Sequence, residues 1–165
     1  APMALYDTPG PCYIRFGREA VPVVTDDDTP FELGKNRLVS DGSDVVYFAN
    51  GYLVHQAMRA AEKLEKEGIS ARVVDVHTVK PLDREDIIRH ASETGAVVTC
   101  EEHQVAGGLG GAVCETLAES VCVPVERIGV RDSFGESGKP EELIEKYGLG
   151  VDALCEAARR AIARK

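Results

Sequence analysis

From about residue 40 onward the sequence alternates short apolar runs with stretches of helical periodicity, and nothing else in it constrains the fold as strongly. Asp44-Val45-Val46-Tyr47-Phe48-Ala49 is apolar and β-prone, and Asn50-Gly51 ends it. Leu53, Ala57, Ala60, Ala61 and Leu64 then recur at the spacing of one helix face, with Gly68 as a left-handed stop. A second strand is expected over Ala71–Val76, then a helix capped by Asp83 and carrying Ile87, Ile88 and Ala91. Ala96–Glu101 reads as a third strand, and the helix after it carries Val113, Leu117 and Val121. Val125–Val130 is a fourth strand. Pro140 opens a helix that Gly148 closes, and Asp152 is expected to cap a last helix with Leu154, Ala157, Ala158, Ala161 and Ile162. Strand and helix in regular turn predict an α/β layer fold with a mainly parallel sheet.

The first thirty residues differ. They hold five of the eight prolines and the acidic run Asp26-Asp27-Asp28, without a long amphipathic pattern, and read as the tail of something followed by a linker. Ala1-Pro2 is not an initiation sequence, so a processed, truncated or tagged chain is expected. At 165 residues the chain suffices for one domain with an appendage. Its net charge of -9 argues against a nucleic-acid or anionic-membrane surface, and no apolar run approaches the roughly 20 residues of a membrane span. Five cysteines without framework spacing fit reduced thiols and a cytoplasmic setting.

Chemistry concentrates in "CEEHQVAGGLGGAV", residues 100–113, where a strand runs into Cys100, Glu101, Glu102, His103 and the glycines Gly107, Gly108, Gly110 and Gly111. Gly108-Leu109-Gly110 starts a dinucleotide-type fingerprint, but Val113 stands where its third glycine belongs. The glycines therefore read first as a tight strand-to-helix turn, and second as an anion cradle. Neighbours on a strand face opposite ways, so Cys100, Glu101, Glu102 and His103 cannot converge on a metal without a sharp bend. His103 is expected near the carboxyl end of its strand, oriented by a carboxylate. Gly135-Glu136-Ser137-Gly138 misses the serine-hydrolase elbow because Lys139 follows. Arg15 and Arg18, in "RFGR" after the β-prone run Cys12-Tyr13-Ile14, suit carboxylate or phosphate recognition, and ion pairs with nearby acids fit them equally well.

Together "GPCYIRFGREAVPVV", "FANGYLVHQAMRAAEKLEKEGISARVVDVHTVKPLD", "EEHQVAGGLGGAV" and "DSFGESGKPEELIEKYGL" resemble the C-terminal part of transketolase, above all the small subunit of two-subunit transketolases. Deoxyxylulose-phosphate synthase and 2-oxo-acid dehydrogenase β subunits share this domain, and the "GESGKPEELIEKYGL" block favours transketolase. The resemblance implies a three-layer α/β/α domain over residues 41–165, a linker over 26–40, and the end of a pyrimidine-binding domain over 1–25. It implies thiamine diphosphate and magnesium in the complete enzyme, sugar phosphate substrates of the pentose phosphate type, and an N-terminal section or subunit as partner. Homodimer contacts are also implied. Arg18 matches the family's substrate-phosphate arginine, and Arg15 is a weaker match. The G-D-G diphosphate motif and the cofactor-activating glutamate do not occur in this sequence, so the chain alone is expected to be inactive and to bind no cofactor. His103, Gly107, Gly108 and Gly110 remain candidates for ligand or interface contact. The rival reading is a stand-alone module holding a nucleotide or other anion near His103 and Gly108.

Overall fold

The computed structural model describes residues 1–17, 20–26 and 28–165. A five-stranded sheet forms the centre, in the order β1-β3-β2-β4-β5, from β1 (Arg37–Ser40), β2 (Val45–Ala49), β3 (Ala71–Asp75), β4 (Val97–Gln104) and β5 (Val125–Val130). Every pairing is parallel except that of β1 with β3.

Alternation along β2 assigns the two faces. Val45, Tyr47 and Ala49 pack with α2 (Tyr52–Glu65) and α6 (Val151–Ile162), whereas Val46 and Phe48 pack with α3 (Arg84–Thr94) and α4 (Leu109–Ala118). All five β2 residues are fully buried, as a central parallel strand covered on both faces requires. The Tyr47 hydroxyl, taken into this apolar layer, donates to the Leu154 carbonyl at 3.0 Å and so ties α6 to the sheet. A short α1 (Pro2–Tyr6) and α5 (Pro140–Lys146) complete the elements.

The expected three-layer α/β/α arrangement is thus present. Four details depart from the sequence reading. Arg37–Ser40, inside the stretch read as a linker, joins the sheet as an antiparallel edge strand. The β-prone run Cys12-Tyr13-Ile14 forms no strand; none among the described residues lies beside it to complete a ladder, and Tyr13 stands exposed. Gly150, not Asp152, occupies the N-cap of α6, while Asp152 sits in the first turn and pairs with Lys63 at 2.6 Å. Asp83 does hold the N-cap position of α3, but its carboxylate faces the Asn36 N–H (3.4 Å) and Lys35 (3.6 Å) rather than the helix.

A polar network secures α3 against this edge. Asp86 accepts from Asn36 Nδ2 at 3.0 Å and from Arg89, and lies 3.3 Å from Nε2 of the buried His90. Burial opposes its ionisation, yet hydrogen bonds from His90, Asn36 and Arg89 outweigh burial and hold the Asp86 carboxyl well below the usual carboxylate range. A carboxyl depressed by folding stabilises the protein above its unfolded pKa of about 3.9 and loses that contribution as pH falls further. Asp86→Asn is therefore expected to lower the urea midpoint at neutral pH, and the deficit to shrink once pH drops below about 4.

Candidate functional site

The chain leaves β2 into α2 on one face and β4 into α4 on the other, so the loops after β2 and β4 diverge. The crevice between them is the switch point at which open α/β sheets place ligands. Asn50 closes its floor by donating its N–H to the Cys100 carbonyl at 3.2 Å. His103 lies at the carboxyl end of β4, and half of its side chain is exposed.

Strand alternation separates the four reactive-looking residues as expected. Cys100 is buried on the α2/α6 face, and burial pushes its thiol far above the ordinary range. Glu102 is exposed. Glu101 and His103 share the α4 face, with Nδ1 of the histidine 3.8 Å from Oε2 of the glutamate. His103 Nδ1 also lies 2.9 Å from the Gln104 carbonyl, which accepts only from a protonated nitrogen. In the neutral ring that contact puts the proton on Nδ1 and leaves Nε2 as the acceptor.

Glu101 explains the glycines. Its side chain is 2% exposed, and its two oxygens accept from the first N–H groups of α4: Oε2 from Leu109 at 2.7 Å and Oε1 from Gly110 at 2.8 Å. A carboxylate here answers both the unpaired donors and the positive end of the helix. Gly107, at φ +77°, turns the chain back toward β4. At Gly108 a Cβ would stand 2.0 Å from Glu101 Oε2, so only glycine leaves room for the carboxylate. Gly110 and Gly111 lie within the first turn of α4 rather than ahead of it, and Gly110 rests against Thr99 and Arg127 of the sheet.

The helix terminus that an external phosphate would use is therefore already filled by the protein's own acid. This does not fit the diphosphate of thiamine diphosphate. Nor does any group of three or more His, Cys, Asp or Glu side chains suited to a metal assemble among the described residues. The same occupancy argues against a nucleotide beside Gly108.

Arg15 comes to this site across 87 positions of sequence, its Nη1 donating to the Glu102 carbonyl at 3.1 Å. It thereby brings Arg15-Phe16-Gly17 next to His103, a proximity no spacing rule could reveal. Arg18, the stronger candidate, lies outside the described residues. Sequence reasoning also missed a pair at the end of β3: Arg37 lies 3.4 Å from Asp75 and donates to the Val24 carbonyl at 3.2 Å, pinning the N-terminal segment to the sheet.

Comparison with known proteins decides the family. The description "Transketolase, C-terminal domain" matches residues 34–154. The chain belongs to the transketolase C-terminal domain family. A 6-deoxy-6-sulfo-D-fructose transketolase subunit of Clostridium sp. (strain MSTE9) is 46% identical over 156 residues, covering 94% of this chain and 48% of that protein. The 1-deoxy-D-xylulose-5-phosphate synthase of Heliobacterium modesticaldum is 44% identical over 153 residues, covering 91% of this chain and 24% of the synthase. Among solved structures, "Split gene transketolase, inactive beta4 tetramer" superposes with a TM-score of 0.87 at 48% identity, covering 90% of this chain and 49% of that one. This transketolase C-terminal domain thus spans about half the length, or less, of the proteins it matches. None of its described helices is long and apolar enough to cross a membrane.

Glu101 and Gly108 give the site its test. Glu101→Gln presents an amide to donors that need an acceptor, and should cost about 1.5–3 kcal/mol, the worth of hydrogen bonds to a charged group. Gly108→Ala should expel the carboxylate and cost at least as much. Urea unfolding of the three proteins measures both; a Gly108→Ala protein as stable as wild type would show that Glu101 does not hold α4.

Proposed function

We propose that this chain is the C-terminal part of a two-part transketolase, which moves a two-carbon ketol unit from a ketose phosphate to an aldose phosphate. The main support is the likeness to a split-gene transketolase at 48% identity, with about half of that chain matched. In this reading residues 1–25 end the pyrimidine-binding domain, 26–40 link, and 41–165 form the C-terminal domain. The N-terminal section or subunit is the partner, and copies of the chain contribute homodimer contacts in the cytoplasm. Seven of the ten exposed large hydrophobic side chains among the described residues lie between Met3 and Val23, including Tyr6, Tyr13 and Phe16. Apolar exposure so concentrated supports a partner surface at that end of the chain.

Thiamine diphosphate with magnesium, when bound by the partner polypeptide, supplies the carbanion stabilisation that the reaction needs. This chain's task is to orient substrate. Arg18 grips the phosphate through charge-assisted hydrogen bonds, with Arg15 anchored on Glu102 beside it. His103 and the Gly107-Gly108 turn line the seam with the partner, while Gly110, buried in the first turn of α4, supports them from beneath. Glu101 keeps that loop in one conformation by bonding α4.

Ketol transfer should be undetectable with this chain alone and appear on mixing with the larger polypeptide. In the mixture, Arg18→Gln should raise KM for the phosphorylated acceptor about tenfold or more, the cost of one charged contact, with a smaller effect for Arg15→Gln. Full activity of the isolated chain would refute the proposal.

A further inference from the structure

Outside the tail, three large apolar side chains stand exposed among the described residues: Leu38, Val79 and Phe134. Phe134 is the extreme case, 97% exposed, on the loop that joins β5 to α5. That loop contains no helix or strand, yet it is tied down at three points. Asp132 turns the chain out of β5 at φ +46° and donates its N–H to Gln104 Oε1 at 2.9 Å. The Tyr147 hydroxyl donates to the Phe134 carbonyl at 2.9 Å, and Glu136 pairs with Lys146 at 2.6 Å. The backbone is thus fixed while the ring it carries stands in water. A ring presented in this way is preorganised, because no loop has to be ordered when a partner covers it.

Position gives the ring its context. Strands β3 and β5 run in the same direction, so Val79, four residues past β3, and Phe134, four past β5, both follow the carboxyl end of the sheet. At that end Arg15 ties the tail to Glu102, and His103 stands at the terminus of β4. Gln104 is the neighbour of His103, and its bond to Asp132 joins the Phe134 loop to this seam. Strands β2 and β4 lie between β3 and β5, so the two exposed side chains follow strands three spacings apart, about 14 Å. A surface of that breadth fits a folded domain rather than a metabolite or a single strand.

We propose that Phe134 and Val79 belong to the surface on which the N-terminal polypeptide of the two-part enzyme docks, with the Phe134 ring as its anchor. This inference rests on the function proposed above. A domain described as C-terminal, spanning about half of the proteins it matches, has further chain before it in those proteins. The exposed apolar side chains of the tail approach that chain from the same end of the sheet, where Arg15 holds them. A second copy of this chain is the poorer occupant, because it would compete with the tail and what the tail leads to. Aromatic side chains dominate binding energy when they enter a desolvated pocket, and a fully exposed phenylalanine offers its whole ring for that purpose.

Sedimentation velocity tests this by measuring assembly of the chain with the larger polypeptide, and of the chain with itself. Wild type, Phe134→Ala, Phe134→Asp and Lys66→Asp are compared; Lys66 is exposed at the other end of the sheet, between α2 and β3. Phe134→Ala should weaken the complex with the larger polypeptide about thirtyfold, Phe134→Asp should weaken it further, and Lys66→Asp should leave it unchanged. The amount of chain needed for half-maximal ketol transfer should rise by the same factor, with the saturated rate unchanged. The Phe134 side chain is free of the fold, so urea midpoints of its variants should equal that of wild type. Equal affinity of Phe134→Asp and wild type overturns the docking surface and leaves the proposed function standing. No complex even with wild type overturns both. A Phe134 substitution that splits an oligomer of this chain but spares the complex assigns the ring to a second copy, and likewise overturns the proposal.

Discussion

The carboxylate of Glu101 decides what this domain is able to do. Two N–H groups at the start of α4 are the natural receptor for an anion, and the strand preceding the helix supplies that anion from within. Three consequences follow. The glycine at 108 is required by space, α4 is held against β4 at its first turn, and the phosphate-binding capacity of the turn is spent. A segment that looks catalytic in one dimension is a brace in three, and it leaves His103 facing the crevice with an oriented ring.

The rest of the architecture carries that brace. β2 is buried on both faces, and its alternating side chains divide the core into a layer with α2 and α6 and a layer with α3 and α4. Because the two helix pairs leave the sheet on opposite faces, the crevice after β2 and β4 is unavoidable. The N-terminal segment is drawn over it by Arg15 and held further back by Arg37. This arrangement sets Arg15 beside the β4 terminus.

Much of the fold is legible in the sequence because strands here are short apolar runs with clean ends. Val125–Val130 is found as expected, and β2 and β3 lie within their predicted runs. β1 was hidden, since its Arg-Leu-Val-Ser has neither alternation nor length and becomes a strand only through pairing with β3. The tail failed the other way: Cys12-Tyr13-Ile14 has β-propensity but no neighbouring strand, and propensity alone does not form a ladder. The site was half legible. Strand parity correctly separated Cys100 from His103, whereas the bonds from Glu101 to residues eight and nine positions later, and from Arg15 across 87, depend on chain reversal that no local pattern encodes.

Glu101 closes the anion site of this chain, and the proposed function leaves the cofactor to the partner polypeptide. Calorimetric titration of magnesium thiamine diphosphate into the isolated chain tests it most directly. No binding heat beyond dilution is expected. A saturable isotherm with micromolar affinity would contradict it, for the diphosphate would then have found a cradle that Glu101 is argued to fill.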